Sequence, residues 1–358
     1  MLTHFIERIH TATAEKRPLC IQGGGSKRWY GQAPQGDTLT TRNFTGIVDY
    51  DPTELVITAR CGTPLSEIEA VLAEQGQMLA FEPPSFGSSA TVGGMVAAGL
   101  AGPRRAYAGA VRDFLLGVVM LNGRAERLVF GGQVMKNVAG YDVSRLMAGS
   151  MGSLGLLLEL SIKVLPVPRK ELSLRFELSR EQALATVNKW AGLPYPISAT
   201  SWENGHLYLR LSGSEAATIA TRKQLGGELL PEADAAAYWR SLREQTHAFF
   251  GKDDALWRLS LPSTADSPNL GGEELIEWGG SQRWLKLPEE QAQAGAGTIR
   301  AAASAIGGHA SLFRGASKQV GVFHPLTPPV LAIHRRLKQA FDPAGIFNPG
   351  RLYAEDSI

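Results

Sequence analysis

The chain has 358 residues, too many for one ordinary core, so two domains are expected. A hydrophobic fraction of 44% and a charged fraction of 20% fit a soluble globular protein, and a net charge of +2 gives nucleic-acid binding no support. Two cysteines, Cys20 and Cys61, can neither build a zinc site nor ligate an iron–sulfur cluster by themselves, and no metal is expected.

Residues 1–17 read as a helix with Leu2, Phe5, Ile6 and Ile9 on one face. Charges interrupt this apolar run, so it is not a signal peptide. A short strand then delivers Gly23-Gly24-Gly25-Ser26. Amides without Cβ atoms can close on an anion, although a tight turn would also use three glycines. The run is neither G-x-G-x-x-G, since Arg28 stands at the third glycine position, nor a P-loop. Leu55–Cys61 reads as a strand. Thr63-Pro64 opens a helix with Thr63 as N-cap, Leu65, Ile68, Val71 and Leu72 as its stripe and Gly76 as its end.

A second glycine loop follows. Pro83-Pro84 fixes an extended approach, Ser85, Ser88, Ser89 and Thr91 offer hydroxyls, and Gly93-Gly94 lets backbone pass close to a flat or charged group. Arg104-Arg105 could clamp a carboxylate or form a solvated basic turn. Leu115–Leu121 and Ala125–Phe130 form a hairpin, with Asn122-Gly123 supplying a type I′ turn. A third loop joins Lys136, Asn137 and Gly140-Tyr141-Asp142 to Gly149-Ser-Met-Gly152-Ser-Leu-Gly155. A strand at Leu156–Leu165 stops at Pro166 and Pro168, where a domain boundary is placed. Three such loops suit one long diphosphate ligand.

From Leu172, strand-like runs (Leu172–Leu178, Leu207–Leu211, Leu256–Leu261, Arg283–Leu287) alternate with helical ones (Glu181–Ala191, Ala216–Leu225, Ala233–Phe250, Thr298–Ile306), an α+β layer. Residues 263–281 read as a loop. The tryptophans crowded into this region fill a core or form a partner face. Thr327-Pro328 starts a final helix whose face is Val330, Ile333, Leu337 and Phe341. The tail Gly345–Arg351 reads as docked. No run reaches the ~20 apolar residues of a membrane span. The chain is expected in the cytoplasm, or at a membrane only through partner subunits.

Taken together, Ile21–Ser26, Ala90–Gly94, Val134–Asp142, Gly152–Gly155 and Asp342–Arg351 resemble the flavoproteins with a PCMH-type FAD-binding domain, the vanillyl-alcohol-oxidase-like superfamily. Within it the chain is most similar to the FAD-binding subunits of bacterial glycolate oxidases. The resemblance covers about residues 1–165 and 338–352. It implies an FAD-binding domain of two α+β subdomains at 1–168, a smaller α+β cap with an antiparallel sheet at 169–326, and a helix and tail at 327–358 returning to the FAD domain.

It also implies that Gly23, Gly24, Gly25, Ser26 and Lys27 wrap the FAD pyrophosphate. Pro84, Ser88, Thr91, Gly93 and Gly94 would line the diphosphate and flavin. Gly140 belongs to the third loop, Gly149, Gly152 and Ile162 lie near the adenosine end, and Asn348 lies close to the isoalloxazine ring. Covalent members carry a histidine where this chain has Ser26, so FAD is expected to be noncovalent. Relatives that oxidise 2-hydroxy acids usually carry Glu where this chain has Met151, and a His-x-His motif that it lacks. The resemblance therefore implies a subunit that works with a larger FAD-linked oxidase subunit and an iron–sulfur subunit on a small 2-hydroxy acid, glycolate or D-lactate. A self-sufficient dehydrogenase using Arg104 or Tyr141, or a scaffold that has lost flavin, are the alternatives.

Overall fold

The computed structural model describes residues 1–133, 141–251 and 254–354. It is mixed α+β with mainly antiparallel sheets. The chain divides into two units: unit 1 takes Met1–Leu100, Ala110–Pro166 and the segment from Pro325 onward, and unit 2 takes Ala101–Gly109 and Val167–His324.

Unit 1 begins with α1 (Leu2–Glu15), which buries Phe5, Ile9 and Ala12 at helical spacing and leaves Leu2 outside. Strand β1 (Leu19–Gln22) pairs in parallel with β2 (Asp37–Thr40). Besides a two-residue pairing of Gln77–Met78 with Leu165–Pro166, the longer strands are β3 (Ile47–Asp51), β4 (Val56–Arg60), β5 (Leu115–Leu121), β6 (Arg127–Gly131) and β7 (Leu156–Lys163). They form an antiparallel sheet in the order β3-β4-β7-β5-β6. Helix α2 (Leu65–Glu74) buries Leu65, Ile68 and Leu72. It starts one residue later than expected. Pro64 is the N-cap, and the Thr63 hydroxyl exchanges hydrogen bonds with the backbone of Gly46 instead. Gly93 and Gly94, expected within a loop, are in the first turn of α3 (Val92–Ala98), capped by Thr91.

The β5–β6 hairpin forms without a type I′ turn. The Asn122 carboxamide accepts from the N–H groups of Arg124 and Glu126, and the positive φ falls on Ala125 at 59°. Gly123 is needed for another reason: a Cβ there would sit 2.9 Å from Asp342 Cα.

Unit 2 holds β8 (Lys170–Glu177), α4 (Arg180–Ala191), β9 (Ile197–Glu203), β10 (His206–Gly213), α5 (Glu215–Leu225) and α6 (Glu232–Glu244). These are followed by β11 (Ala255–Ser260), β12 (Glu273–Glu277), β13 (Gln282–Leu287), α7 (Glu289–Ala294), α8 (Ala296–Ala305) and β14 (His309–Arg314). Its antiparallel sheet runs from the short strand Glu228–Leu229 through β8, β10, β9, β12, β13 and β11 to β14. Two apolar clusters, one around Leu209 and Val187 and one around Trp257 and Ile299, fill it.

The expected loop 263–281 contains β12, which lies between β9 and β13. The fully buried Arg283 folds the remaining Gly/Ser/Pro run onto this sheet through Ser267 Oγ and the carbonyl oxygens of Ala265 and Gly280. The helix expected over 233–250 ends at Gln245, whose φ of 51° stops it. Trp190, Trp239, Trp257 and Trp284 are buried in unit 2. No helix of the described residues is long and apolar enough to cross a membrane.

The last helix, α9 (Pro328–Phe341), returns to unit 1. Of its expected face, Leu337 and Phe341 are half-buried, while Val330 and Ile333 are 41% and 54% exposed. Leu331 and His334 take the inner positions. After it, Ile346 and Phe347 enter the core with Phe5, Ile9, Leu19 and Leu39. Leu19 and Phe347 pair as a parallel bridge, with Leu19 N–H donating to Ile346 O at 2.7 Å.

Candidate functional site

Strand β1 ends at Gln22, and the chain turns at once against the segment before α3. A Cβ at Gly24 would overlap the carbonyl oxygen of Ser89, and one at Gly23 would overlap Thr91 Oγ1. Gly25 has φ 79°. Protein packing therefore requires these glycines, and it also fixes where their amides lie. The half-buried N–H groups of Gly23, Gly24, Gly25 and Ser26 have no acceptor among the described residues. Four consecutive amides that the protein leaves without acceptors at a groove can converge on an anion.

The groove in front of them is also lined by Lys27, Arg28, Thr91, Gly94, Ala97, Ala98, Met151, Asn348 and Arg351. Helix α3 offers it no free amides. Val92 N–H donates to Thr63 O, Gly93 N–H to Cys61 O and Gly94 N–H to Thr91 Oγ1. What α3 contributes is a floor of Gly94, Ala97 and Ala98, low enough for a flat ring to approach.

The groove is positively charged. Lys27 Nζ reaches Ser85 O at 3.2 Å and lies over the Phe86 ring. Arg28 Nη1 donates to Gln22 Oε1 at 2.6 Å. The buried Arg351 donates to Arg28 O at 2.9 Å and to Gln32 O. Burial, reinforced by Arg28, holds the Arg351 guanidinium below its ordinary pKa. Among the described residues, Arg28 and Arg351 meet no carboxylate.

Asn348 ties the groove together. Its Oδ1 accepts from Ile21 N–H at 2.7 Å and its Nδ2 donates to Met151 O at 2.6 Å, with its own φ at 41°. Gly152 lies beside it, since a Cβ there would come within 2.7 Å of Asn348 Nδ2. The side-chain amide thus joins β1, the third loop and the tail.

The structure brings Gly23 to Lys27, Thr91, Gly94 and Asn348 to this groove. Gly93 packs behind it, where a Cβ would meet Cys61. Pro84 is buried and Ser88 exposed in the second loop. Gly149 lines a larger, adjoining cleft beside α9 that shares Asn348 and Arg351 with the groove. Ile162 is buried in β7 between β4 and β5. Gly140 and Lys136 lie outside the described residues.

Of the catalytic candidates, Tyr141 is 95% exposed in unit 1. Arg104 belongs to unit 2, where its Nη2 donates to Glu171 Oε2 at 2.6 Å. Both cysteines are free and buried, and burial pushes the Cys61 thiol up to about 12. Sequence reasoning did not single out Arg28, Ala97, Ala98 or Arg351. For Arg351 a signal existed, a cation closing a Gly/Pro/Asn tail already read as docked.

Such a groove takes an extended cofactor with a phosphate centre and a flat end, which places the chain among dinucleotide-binding flavoproteins. Residues 3–142 match the FAD binding domain family and residues 316–352 match the C-terminal domain of FAD linked oxidases. The glycolate oxidase subunit GlcE of Escherichia coli K12 is 51% identical over 350 residues, 98% of this chain and 97% of that protein. The glycolate oxidase subunit GlcD of Bacillus subtilis is 30% identical over 176 residues, 48% of this chain and 37% of its own length. A solved p-cresol methylhydroxylase with substrate bound superposes with a TM-score of 0.76 at 14% identity, over 100% of this chain and 88% of that one. The chain belongs to the family of FAD-linked oxidoreductases that includes the glycolate oxidase subunit GlcE.

Proposed function

We propose that the chain is the FAD-binding subunit of a complex that oxidises glycolate or D-lactate to the 2-oxo acid. The observation that carries this reading is the run of four unpartnered amides from Gly23 to Ser26, backed by positive charge, in a chain 51% identical to a glycolate oxidase subunit. Those amides hold the FAD diphosphate, with Lys27, Arg28 and Arg351 balancing its charge. Gly94, Ala97 and Ala98 support a flat part of the cofactor and exclude water from that side. Asn348 keeps the third loop and the tail in register with β1. FAD bound here would supply an electron carrier that relays electrons through the complex, while the hydride from the α-carbon of the hydroxy acid is taken on a longer FAD-linked subunit.

With Ser26 after the glycines there is no imidazole to attach the flavin, so FAD is held noncovalently. Two cysteines cannot ligate a cluster, so an iron–sulfur subunit receives the electrons. A longer FAD-linked subunit supplies the substrate-oxidising groups. Attachment to a membrane, where it occurs, is through these partners.

The test is co-purification of the tagged full-length chain, with flavin, iron and partner analysis. Flavin released by denaturation, together with co-purifying flavoprotein and iron–sulfur subunits, is the expected result. Glycolate turnover by the chain alone would replace it with a self-sufficient dehydrogenase. Protein that stays colourless when FAD is added to the assembled complex would leave only a scaffold.

A further inference from the structure

We propose that Arg351 is a positioning residue for the cofactor diphosphate: it locks the turn that follows the glycine loop and adds a fixed positive charge beside the unpartnered amides. This rests on the reading of the groove as an FAD site.

Within residues 25–32, Arg28 N–H donates to Gly25 O, Tyr30 N–H to Lys27 O and Trp29 Nε1–H to Ser26 O. Lys27 Nζ ties this turn to Ser85 O, Arg28 ties it to Gln22, Trp29 packs on Phe86, and Arg351 is its anchor to the tail. The Arg351 guanidinium takes Arg28 O and Gln32 O, and its own carbonyl accepts from Gln32 N–H at 3.0 Å. Gly31, at φ 81°, lets this approach happen, since a Cβ there would sit 3.1 Å from Arg351 O. The planar fork presents two nitrogens at a fixed spacing to two carbonyl oxygens, a geometry that the single nitrogen of an ammonium does not match.

The anchor is itself tied down. It follows Phe347, which is fully buried, and Asn348, which is bonded on both sides. Asp342 pins the same tail by accepting from Ile346 N–H, Phe347 N–H and Lys338 Nζ. The rigid tail thus carries a buried cation to the groove, where it meets carbonyl dipoles but, among the described residues, no carboxylate. A buried charge left without its counter-charge is costly, and a diphosphate supplies that counter-charge.

The test compares the parent with Arg351→Gln and Arg351→Lys in the full chain. Flavin fluorescence gives the FAD dissociation constant at several salt concentrations, and inorganic pyrophosphate serves as a competitor. Arg351→Gln is expected to weaken FAD binding about 10-fold or more and to flatten its salt dependence. Pyrophosphate affinity should fall in parallel. Arg351→Lys should recover the salt dependence but not the affinity, because the charge returns without the fork.

A purely structural role would lower melting temperature and leave the salt slope and pyrophosphate competition unchanged, and that outcome overturns the proposal. If Arg351→Gln does not fold, Arg351→Lys decides alone: FAD affinity within about twofold of the parent overturns it, and a larger loss with the parent's salt slope supports it. Failure of the parent to bind FAD would instead remove the cofactor reading itself.

Discussion

Asn348→Ala is the sharpest test of how the tail and the glycine loops hold together. The substitution leaves Ile21 N–H and Met151 O without partners in a region where Asn348 is only 7% exposed. An unsatisfied buried group costs about 1–3 kcal/mol, so the two together cost at least about 2 kcal/mol. Asn348 also sits at φ 41°, which asparagine tolerates and alanine resists by about 1–2 kcal/mol. The minimum expected loss is therefore about 3 kcal/mol. For a unit of about 190 residues that lowers the melting temperature by roughly 6–12 °C. Circular dichroism melts without added FAD measure it directly. Asn348→Gly separates the two causes, since glycine accepts the positive φ and loses only the hydrogen bonds; it should melt above the alanine variant. An alanine variant within about 2 °C of the parent would refute the clamp, and a glycine variant melting below alanine would refute the backbone part of the argument.

Gly24→Ala should abolish FAD retention, read as loss of visible flavin absorbance after desalting, because its Cβ overlaps Ser89 O and forces the first two loops apart; full retention would mean the loops can separate at no cost. Lys338→Met should destabilise the chain by about 3–5 kcal/mol, since it strips the counter-charge from Asp342, whose side chain is fully buried. Adding Asp342→Asn should recover part of that loss in urea unfolding, and no recovery would refute the charge-pair argument. The His324 pKa is lowered by burial and by Arg300, and Ala310 N–H donates to its Nδ1. The folded state therefore binds fewer protons there than the unfolded chain, so stability is complete above about pH 6.5 and falls as pH drops toward the lowered value. Melting at pH 7.5 and 5.5 should show a fall that His324→Asn reduces, and an unchanged slope would refute the assignment.

Much of unit 1 was legible because its punctuation is local. Gly76 ends α2 and the prolines after β7 stop that strand, and both act within a few residues. The docked tail was legible because glycine, proline and asparagine restrict its backbone wherever it lies. Strands β2, β3, β9, β12 and β14 were not legible; glycine or proline flanks β9, β12 and β14 closely, but flanks alone do not tell a strand from a loop. In β12, Glu273 and Glu274 mask the buried Leu275 and Ile276, and the strand is held by Trp202 on one side and Arg283 on the other. The type I′ turn was misread for a similar reason. Asn122-Gly123 satisfies the local rule, but Gly123 is committed to Asp342, more than 200 positions away in sequence. At the groove, glycine types were visible, but the reason for Gly24 is the carbonyl of Ser89, which no spacing rule reports. The charge of Arg351 was visible, and its isolation from carboxylates was not.

The pairing of Leu19 with the tail also constrains how the protein is made. Ile21 and Asn348 are separated by 327 positions. At about 5–20 residues per second, the ribosome delivers the closing segment roughly 15–65 s after the first strand has emerged. Throughout that interval Phe5, Ile9, Leu19 and Leu39 lack the two side chains, Ile346 and Phe347, that complete their cluster. The amino-terminal half is thus born with an open seam, and its last stage of assembly waits until residues 346–348 have emerged.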